Sequence, residues 1–98
     1  MKTTTEIIHL MQNFKSEACK KYPIGRMLIF GSVARGEQRE DSDVDVCIEP
    51  TMVFDYFMLA ELQQQLMELC GTKVDVLTMH DRMSPELKQS IERDAIYV

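Results

Sequence analysis

The chain has 98 residues, a formal net charge of -5, 45% hydrophobic residues and 28% charged residues. We expect a single domain over residues 1–98, because a chain of this size and composition folds as one globular unit rather than as a disordered or fibrous one. The acidic balance argues against stable, sequence-independent binding of nucleic acid, which depends on many Lys and Arg contacts to phosphate.

No membrane segment or targeting signal is predicted. The apolar run Met27–Phe30, like every other in the sequence, is far shorter than the roughly 20 residues of a membrane span. The first residues lack the apolar block of a secretory signal and the arginine-rich composition of a transit peptide. The three cysteines lack C-x-x-C spacing, which indicates that they are reduced and serve as packing residues. We therefore expect a cytoplasmic protein that does not enter a membrane.

The first predicted element is a helix that starts after Thr3 and ends near Tyr22–Pro23. Thr3 and Glu6 have the spacing of a capping box, and apolar residues follow in steps of three and four. The run Met27–Phe30 then predicts a short buried strand.

Gly31 ends this strand, and residues 32–36 leave room for only one or two turns of helix before a polar loop over 37–42. A second strand begins at Asp43, where polar and apolar residues alternate. The period of two places Asp43 and Asp45 on one face of this strand and its valines on the other.

Two further helices and one strand complete the predicted order. A 3.6-residue period from Phe54 to Leu69 predicts a helix that stops at Gly71, and residues 73–79 predict a third strand containing Asp75. A last helix starts at Ser84–Pro85 and is expected to carry Leu87, Ile91 and Ala95 on its inner face. Residues 96–98 are interpreted either as apolar surface for a partner or as a frayed end.

This order predicts an α/β protein with a small mixed sheet of about three strands flanked by helices. A polar loop joins the first two strands, which favours an antiparallel pair, whereas the helix between the second and third favours a parallel pair. With this topology, Gly31–Ser32 and the three acidic residues Asp43, Asp45 and Asp75 lie at the same end of the sheet.

The three aspartates indicate a site for divalent cations. Asp is unfavourable in strands, and such local conflicts tend to mark functional positions. Carboxylates about 5 Å apart repel by roughly 3 kcal/mol per pair at an effective dielectric constant near 20, so a cation between them would be stabilising. Oxygen ligands suit Mg²⁺ or Mn²⁺. The alternative for any one aspartate is a solvated strand edge or a loop cap.

The Gly31–Ser32 turn is the candidate phosphate-binding element. Backbone N–H groups at the start of a helix can hold phosphate, and glycine permits close approach. Arg35 is a candidate for phosphate contact, and Arg39 a weaker one; both also serve commonly as surface ion-pair partners.

The run Gly-Ser-Val-Ala-Arg-Gly at residues 31–36, Ser-Asp-Val-Asp at 42–45 and Asp75 on the next strand resemble the nucleotidyltransferase superfamily that includes DNA polymerase β. Within it, the chain is most similar to the minimal nucleotidyltransferases (MNT proteins) encoded as antitoxins beside HEPN toxins. The resemblance covers nearly the whole chain and implies the nucleotidyltransferase fold.

The resemblance also implies a mechanism. Asp43 and Asp45 would hold two Mg²⁺ ions, with Mn²⁺ as a substitute, and Asp75 would complete the second metal site and help accept the hydroxyl proton. Gly31 and Ser32 would bind the β and γ phosphates of ATP. AMP would pass to a hydroxyl of a partner protein, a HEPN toxin, which would be silenced by modification and could form a hetero-oligomer with the chain.

Two other functions stay open at this point. The chain could neutralise a toxin by binding alone, without catalysis, although binding would not need three costly acids. It could also be a nucleotidyltransferase that modifies a small molecule or an RNA end, although the chain has no added domain for holding such an acceptor. The sequence does not reveal the nucleobase preference or the acceptor.

Overall fold

The computed structural model of the protein describes residues 2–80 and 82–98. Helices and strands alternate along the chain, in the order α1 (Thr4–Ala18), β1 (Ile24–Phe30), α2 (Gly31–Ala34), β2 (Val44–Pro50), α3 (Tyr56–Cys70), β3 (Val74–Thr78), α4 (Pro85–Asp94) and β4 (Ile96–Tyr97). The strands form one mixed sheet in the order β3-β2-β1-β4. The predicted α/β class is confirmed, with one more strand than expected.

The predicted strand directions are also confirmed. β1 and β2 are antiparallel, and their register places Phe30 opposite Asp45. β2 and β3 are parallel, as expected for two strands joined by the crossover helix α3. The end of β1 and the starts of β2 and β3 therefore lie at one end of the sheet, where the candidate site is found.

The capping box at the start of α1 is confirmed, but the helix ends earlier than predicted. The Thr3 side chain accepts a hydrogen bond from the Glu6 backbone, and the Glu6 side chain accepts one from the Thr3 backbone. α1 stops at Ala18 rather than near Tyr22, because the N–H groups of Lys20 and Lys21 donate to carbonyls three residues back, over 3.1 and 3.0 Å, instead of four residues back as in an α-helix. The buried Tyr22 side chain had extended the apparent helical period.

One face of the sheet packs against α1 and α3 and forms the main core. Its central members are buried side chains from both helices and from the alternating apolar positions of the strands, including Ile7, Met11, Ile29, Val44, Val46, Ile48, Leu62, Leu66, Val74 and Val76. Helix α3 starts at an Asp55 N-cap and ends at Gly71 in a left-handed conformation, as the predicted glycine stop requires.

The opposite face is covered more thinly, by α4. Ile91 of this helix packs on Leu28 and Cys47 in a second, smaller cluster. The prediction for the inner face of α4 is confirmed for Ile91 and wrong for Leu87, which is 39% exposed. The ten-residue helix reaches the sheet through its last two turns, so its first turn points into solvent.

The carboxyl-terminal residues form a strand, which corrects the prediction of a frayed end, while the exposed Tyr97 leaves the apolar surface for a partner a prediction. Ile96 and Tyr97 pair with Ile29 and Leu28 in an antiparallel ladder and extend the sheet beyond β1. The Val98 N–H donates to the Met27 carbonyl over 3.0 Å. Two residues of strand are too short to show the alternation on which sequence-based strand prediction depends.

Within the described part of the chain, no helix combines the length and apolar character needed to cross a membrane.

Candidate active site

Gly31 occupies the sharp junction between β1 and α2. Its φ of +77° is one that glycine adopts readily and other residues do not. A Cβ added to Gly31 would collide with Oδ2 of Asp45 and would lie 3.2 Å from its Cγ. The backbone at Gly31 is therefore in direct contact with the Asp45 carboxylate, and a larger residue at this position would have to displace it.

The three predicted aspartates are brought to this same end of the sheet. Asp45 and Asp75 are register partners on the parallel strands β2 and β3, so their side chains leave the same face on neighbouring strands. Asp43 precedes β2 by one residue, and its carboxylate lies 3.7 Å from Nζ of Lys73, which precedes β3. Nothing in the local sequence marks Lys73 as part of this group.

The electrostatics of Asp45 show how closely these groups are coupled. Burial raises the pKa of the Asp45 carboxyl, and the neighbouring charges of Asp75 and Asp43 raise it further, while Arg35 opposes them. Each of these effects acts on the ionised form, which burial and like charges both disfavour. The charged form of Asp45 is therefore less favourable here than in an isolated aspartate.

The donor chemistry fits a divalent cation that is shared with a substrate. Among residues 2–80 and 82–98, no three His, Cys, Asp or Glu side chains already stand as a ligand group for one ion. Mg²⁺, however, is commonly held by one or two carboxylates while substrate phosphates and water supply its other ligands. Asp45 with Asp75 or Asp43 provides this kind of donor set, and a cation would relieve the repulsion on Asp45.

The phosphate-binding candidates surround Gly31. Ser32 is half-buried in α2, and the first residues of α2 have no side-chain cap on their N–H groups. The Arg35 guanidinium bonds to Glu37 over 3.0 Å and to Asp94 of α4 over 2.7 Å. Asp94 was not predicted as part of the site, since nothing in its local sequence distinguishes it.

Arg39 lies outside this group. Its backbone N–H donates to the Ser42 hydroxyl over 2.7 Å, which closes the loop before Asp43. Its side chain borders a cavity of about 630 Å³ lined also by Lys2, residues 3–5, Gly36, Gln38 and Glu40. None of the three aspartates lines this cavity.

The family of the chain follows from a comparison with known proteins. Residues 12–98 match the family model described as polymerase beta, nucleotidyltransferase. The chain belongs to the polymerase beta nucleotidyltransferase family. The predicted family resemblance and the predicted class of enzyme, a nucleotidyltransferase, are thereby confirmed.

Curated relatives of similar length support this assignment. A Methanocaldococcus jannaschii protein, named provisionally as a protein adenylyltransferase, is 40% identical over 98 residues, and the match covers 100% of both chains. Protein adenylyltransferase MntA of Thermococcus cleftensis is 31% identical over 98 residues and is covered to 98% of its length.

Solved structures of the same fold include a chain provisionally described as a minimal nucleotidyltransferase. It is 31% identical, with a TM-score of 0.77, and the match covers 97% of this chain and 95% of that one. Two complexes are more distant and show the fold alone. A toxin-antitoxin complex with AMP-PNP matches at 22% identity and a TM-score of 0.71, covering 96% of this chain and 70% of that one. A complex of a tri-AMPylated Shewanella oneidensis HEPN toxin with an MNT antitoxin matches at 19% identity and a TM-score of 0.62, and the match covers 96% of this chain and 66% of that one.

Proposed function

We propose that this nucleotidyltransferase transfers AMP from ATP, with Mg²⁺ as the cofactor and Mn²⁺ as a substitute, to a hydroxyl of a partner protein in the cytoplasm. The partner we propose is a HEPN toxin, which the modification silences and with which the chain forms a hetero-oligomer. The observation that carries the proposal is the placement of Asp45 beside Asp75 with its carboxylate against the backbone of Gly31. This arrangement would join a pair of carboxylates that can hold a cation to a turn that can hold phosphate.

The relatives favour this acceptor over a small molecule or RNA. Those that align over the whole chain bear the name protein adenylyltransferase. The neighbouring complexes contain AMP-PNP in one case and a tri-AMPylated HEPN toxin in another, which fits ATP as the donor and a toxin as the acceptor. The net charge of -5 also disfavours an RNA acceptor.

The aspartates are assigned to the cation and to the proton. Asp43 and Asp45 would hold two Mg²⁺ ions, and Asp75 would complete the site of the second ion. When bound, Mg²⁺ neutralises charge on the phosphates and on the attacking and leaving oxygens. To bind a cation, Asp43 would have to give up its ion pair with Lys73. Both side chains can move apart, because Asp43 is 38% exposed and Lys73 is 62% exposed.

Gly31, Ser32 and Arg35 are assigned to the triphosphate. The N–H groups and the hydroxyl at the start of α2 would donate to phosphate oxygens, and the Arg35 guanidinium supplies a positive charge beside them. Their role is to orient the α-phosphorus toward the acceptor. Correct orientation of two reactants is among the largest contributions an enzyme can make.

The transfer itself is a substitution at phosphorus. A bond forms between the acceptor oxygen and the α-phosphorus, and the bond from the α-phosphorus to the oxygen bridging to the β-phosphorus breaks. Pyrophosphate carries that oxygen and its electron pair away. The hydroxyl proton passes to the Asp75 carboxylate, as the general base.

The proposal is tested by transfer of label from α-labelled ATP. Purified protein is incubated with Mg²⁺ and lysate from its own source, with γ-labelled ATP in a parallel reaction to detect phosphoryl transfer. Asp43→Asn is the inactive variant, and Asp41→Asn, an exposed acid in the same loop, is the matched control. We expect α-label, and no γ-label, on one protein band that resists nuclease, with wild type and Asp41→Asn only.

Other outcomes would replace parts of the proposal. Label on RNA or on a small molecule would keep the reaction and change the acceptor. Equal labelling by Asp43→Asn would contradict the assignment of the site. No transfer and no binding of ATP, with intact neutralisation of a toxin, would establish an antitoxin that acts by binding alone.

A further inference from the structure

We propose that Asp94 is a positioning residue, which holds the Arg35 guanidinium so that its free edge can bind the triphosphate. This inference rests on the proposed function, because it assigns Arg35 to the nucleotide. It adds to the site a residue that lies far away in the sequence, on the last helix.

Asp94 divides its two carboxylate oxygens between two arginines. Its side chain is 7% exposed. Oδ2 accepts from Nη1 of Arg35 over 2.7 Å, and Oδ1 accepts from Nε of Arg93 over 3.4 Å. The short bond is therefore the one to Arg35, across 59 residues of sequence.

Arg35 still has donors to offer a ligand. A guanidinium has five N–H donors, of which Nε donates to Glu37 and Nη1 to Asp94. Within residues 2–80 and 82–98, Nη2 has no hydrogen-bond partner, and the side chain remains 41% exposed. The remaining edge of the guanidinium is therefore available to a ligand.

The two partners of Arg35 differ in how firmly they are anchored. Glu37 lies two residues away on the same loop, and its side chain is 64% exposed. Asp94 belongs to α4, which is fixed to the sheet by the fully buried Ile91 and by the pairing of β4 with β1 that follows. Asp94 is therefore the partner that sets the position of the guanidinium, since an exposed, locally tethered pair adds little restraint.

Loss of Asp94 would have a specific consequence. Arg35 would then be held only by Glu37, an exposed partner two residues away, and its guanidinium would be free to leave the position in which it can contact phosphate. This change weakens binding of the nucleotide, whereas a merely structural Asp94 would affect stability alone.

The experiment compares Asp94→Asn, Arg35→Ala and the double variant in the full chain. The Kd for Mg²⁺ with a non-hydrolysable ATP analogue is measured by calorimetry, and the KM for ATP and kcat by label transfer. We expect Asp94→Asn to raise Kd and KM about tenfold, as the loss of one charge-assisted hydrogen bond would. Arg35→Ala should raise them at least as much, and the double variant should equal Arg35→Ala. Glu92→Gln, on the exposed side of the same helix, should leave both constants unchanged.

Each further outcome is decisive. If Asp94→Asn binds the analogue as wild type does, or if the two effects add in the double variant, Asp94 does not act through Arg35 and the inference fails. If wild type binds the analogue and Asp94→Asn weakens binding, but no transfer occurs, the inference stands and the proposed reaction fails. If wild type does not bind the analogue, both fail. Melting temperatures of all variants identify any that are unfolded.

Discussion

The two faces of the sheet are built for different purposes. The face under α1 and α3 carries an uninterrupted set of buried aliphatic side chains. The other face carries Asp45 and Asp75 at one end, Leu28 and Cys47 under α4 in the middle, and Arg26 paired with Glu49 over 2.7 Å at the far end.

The difference shows where a small domain can accommodate a destabilising site. A core of close-packed aliphatic residues supplies most of the stability, so the thinly covered face can hold repelling carboxylates at its open end. The same strand serves both purposes, because successive side chains of β2 point alternately to the two faces. Substitutions on the two faces should therefore separate stability from activity.

The largest effect is expected for Asp45→Asn on the open face. Removing this carboxylate should lower the rate of AMP transfer about a thousandfold, since both cation binding and charge complementarity to the transition state are lost. The same substitution should raise the melting temperature in EDTA, because it removes an ionised group that burial and two neighbouring acids disfavour.

The pH dependence provides the check on this explanation. The pKa of Asp45 is raised in the folded protein, so the folded state binds this proton more tightly than the unfolded chain does. The resulting stability is fully present below the unfolded pKa and is lost as pH rises through the folded pKa. In EDTA, the gain in melting temperature from Asp45→Asn should therefore be small near pH 3.5, which lies below the usual Asp pKa of about 4. The gain should be larger at pH 7. A gain in melting temperature that does not change with pH would contradict the explanation by the charge of Asp45.

Leu66→Ala tests the core face. Leu66 is fully buried in the main core, and its truncation should lower the free energy of unfolding by about 3 kcal/mol, through lost burial and the cavity left behind. Urea denaturation measures this change. At a temperature where the variant is folded, its KM for ATP should match that of wild type. A raised KM without loss of stability would show that the two faces are not separable in this way.

Gly31→Ala and Gly36→Ala form a matched pair at the edge between the faces. Both glycines have positive φ, +77° and +72°, but only Gly31 has the Asp45 carboxylate where a Cβ would lie. Gly36→Ala should cost about 1 kcal/mol in stability from the backbone conformation alone. Gly31→Ala should cost about 1 kcal/mol more and abolish transfer. Equal behaviour of the two variants would mean that Asp45 moves aside freely.

The smallest effect concerns the cysteines. Burial under α4 raises the pKa of the Cys47 thiol to about 11, and burial also raises that of Cys70, whereas Cys19 is exposed. At pH 8 a thiol reagent should therefore modify Cys19 rapidly and the other two only slowly. Cys19→Ser is the control, and rapid labelling of Cys47 in that variant would show that α4 opens readily.

The exposure of Cys19 also corrects the expectation that all three cysteines are packing residues. Cys19 lies in the turn after α1, which the helical pattern had placed inside the helix. A pattern of apolar residues shows that a helix is present but does not show where it ends. Tyr22 lies beyond the end of α1 and is buried nevertheless, so it continues the helical pattern.

The local sequence determined most of the fold and the residue types of the candidate site. Capping residues, the glycine stop and the two periodicities depend on contacts within a few residues, so they can be read directly from the chain. The alternation in residues 43–48 places the valines on one face of the strand and Asp43 and Asp45 on the other, whatever the tertiary contacts are. The Gly31–Ser32 turn was recognisable for the same reason.

Only the tertiary structure decided which distant residues meet. The predicted topology already placed Asp75 at the same end of the sheet as Asp45, but only the register of β2 on β3 makes the two direct partners, and only the packing of α4 brings Asp94 to Arg35. β4 forms because β1 offers it an open edge, although two residues have no periodicity of their own. These features arise from hydrogen bonds and packing between segments far apart in the chain, and such long-range partners leave no local signal in a single sequence.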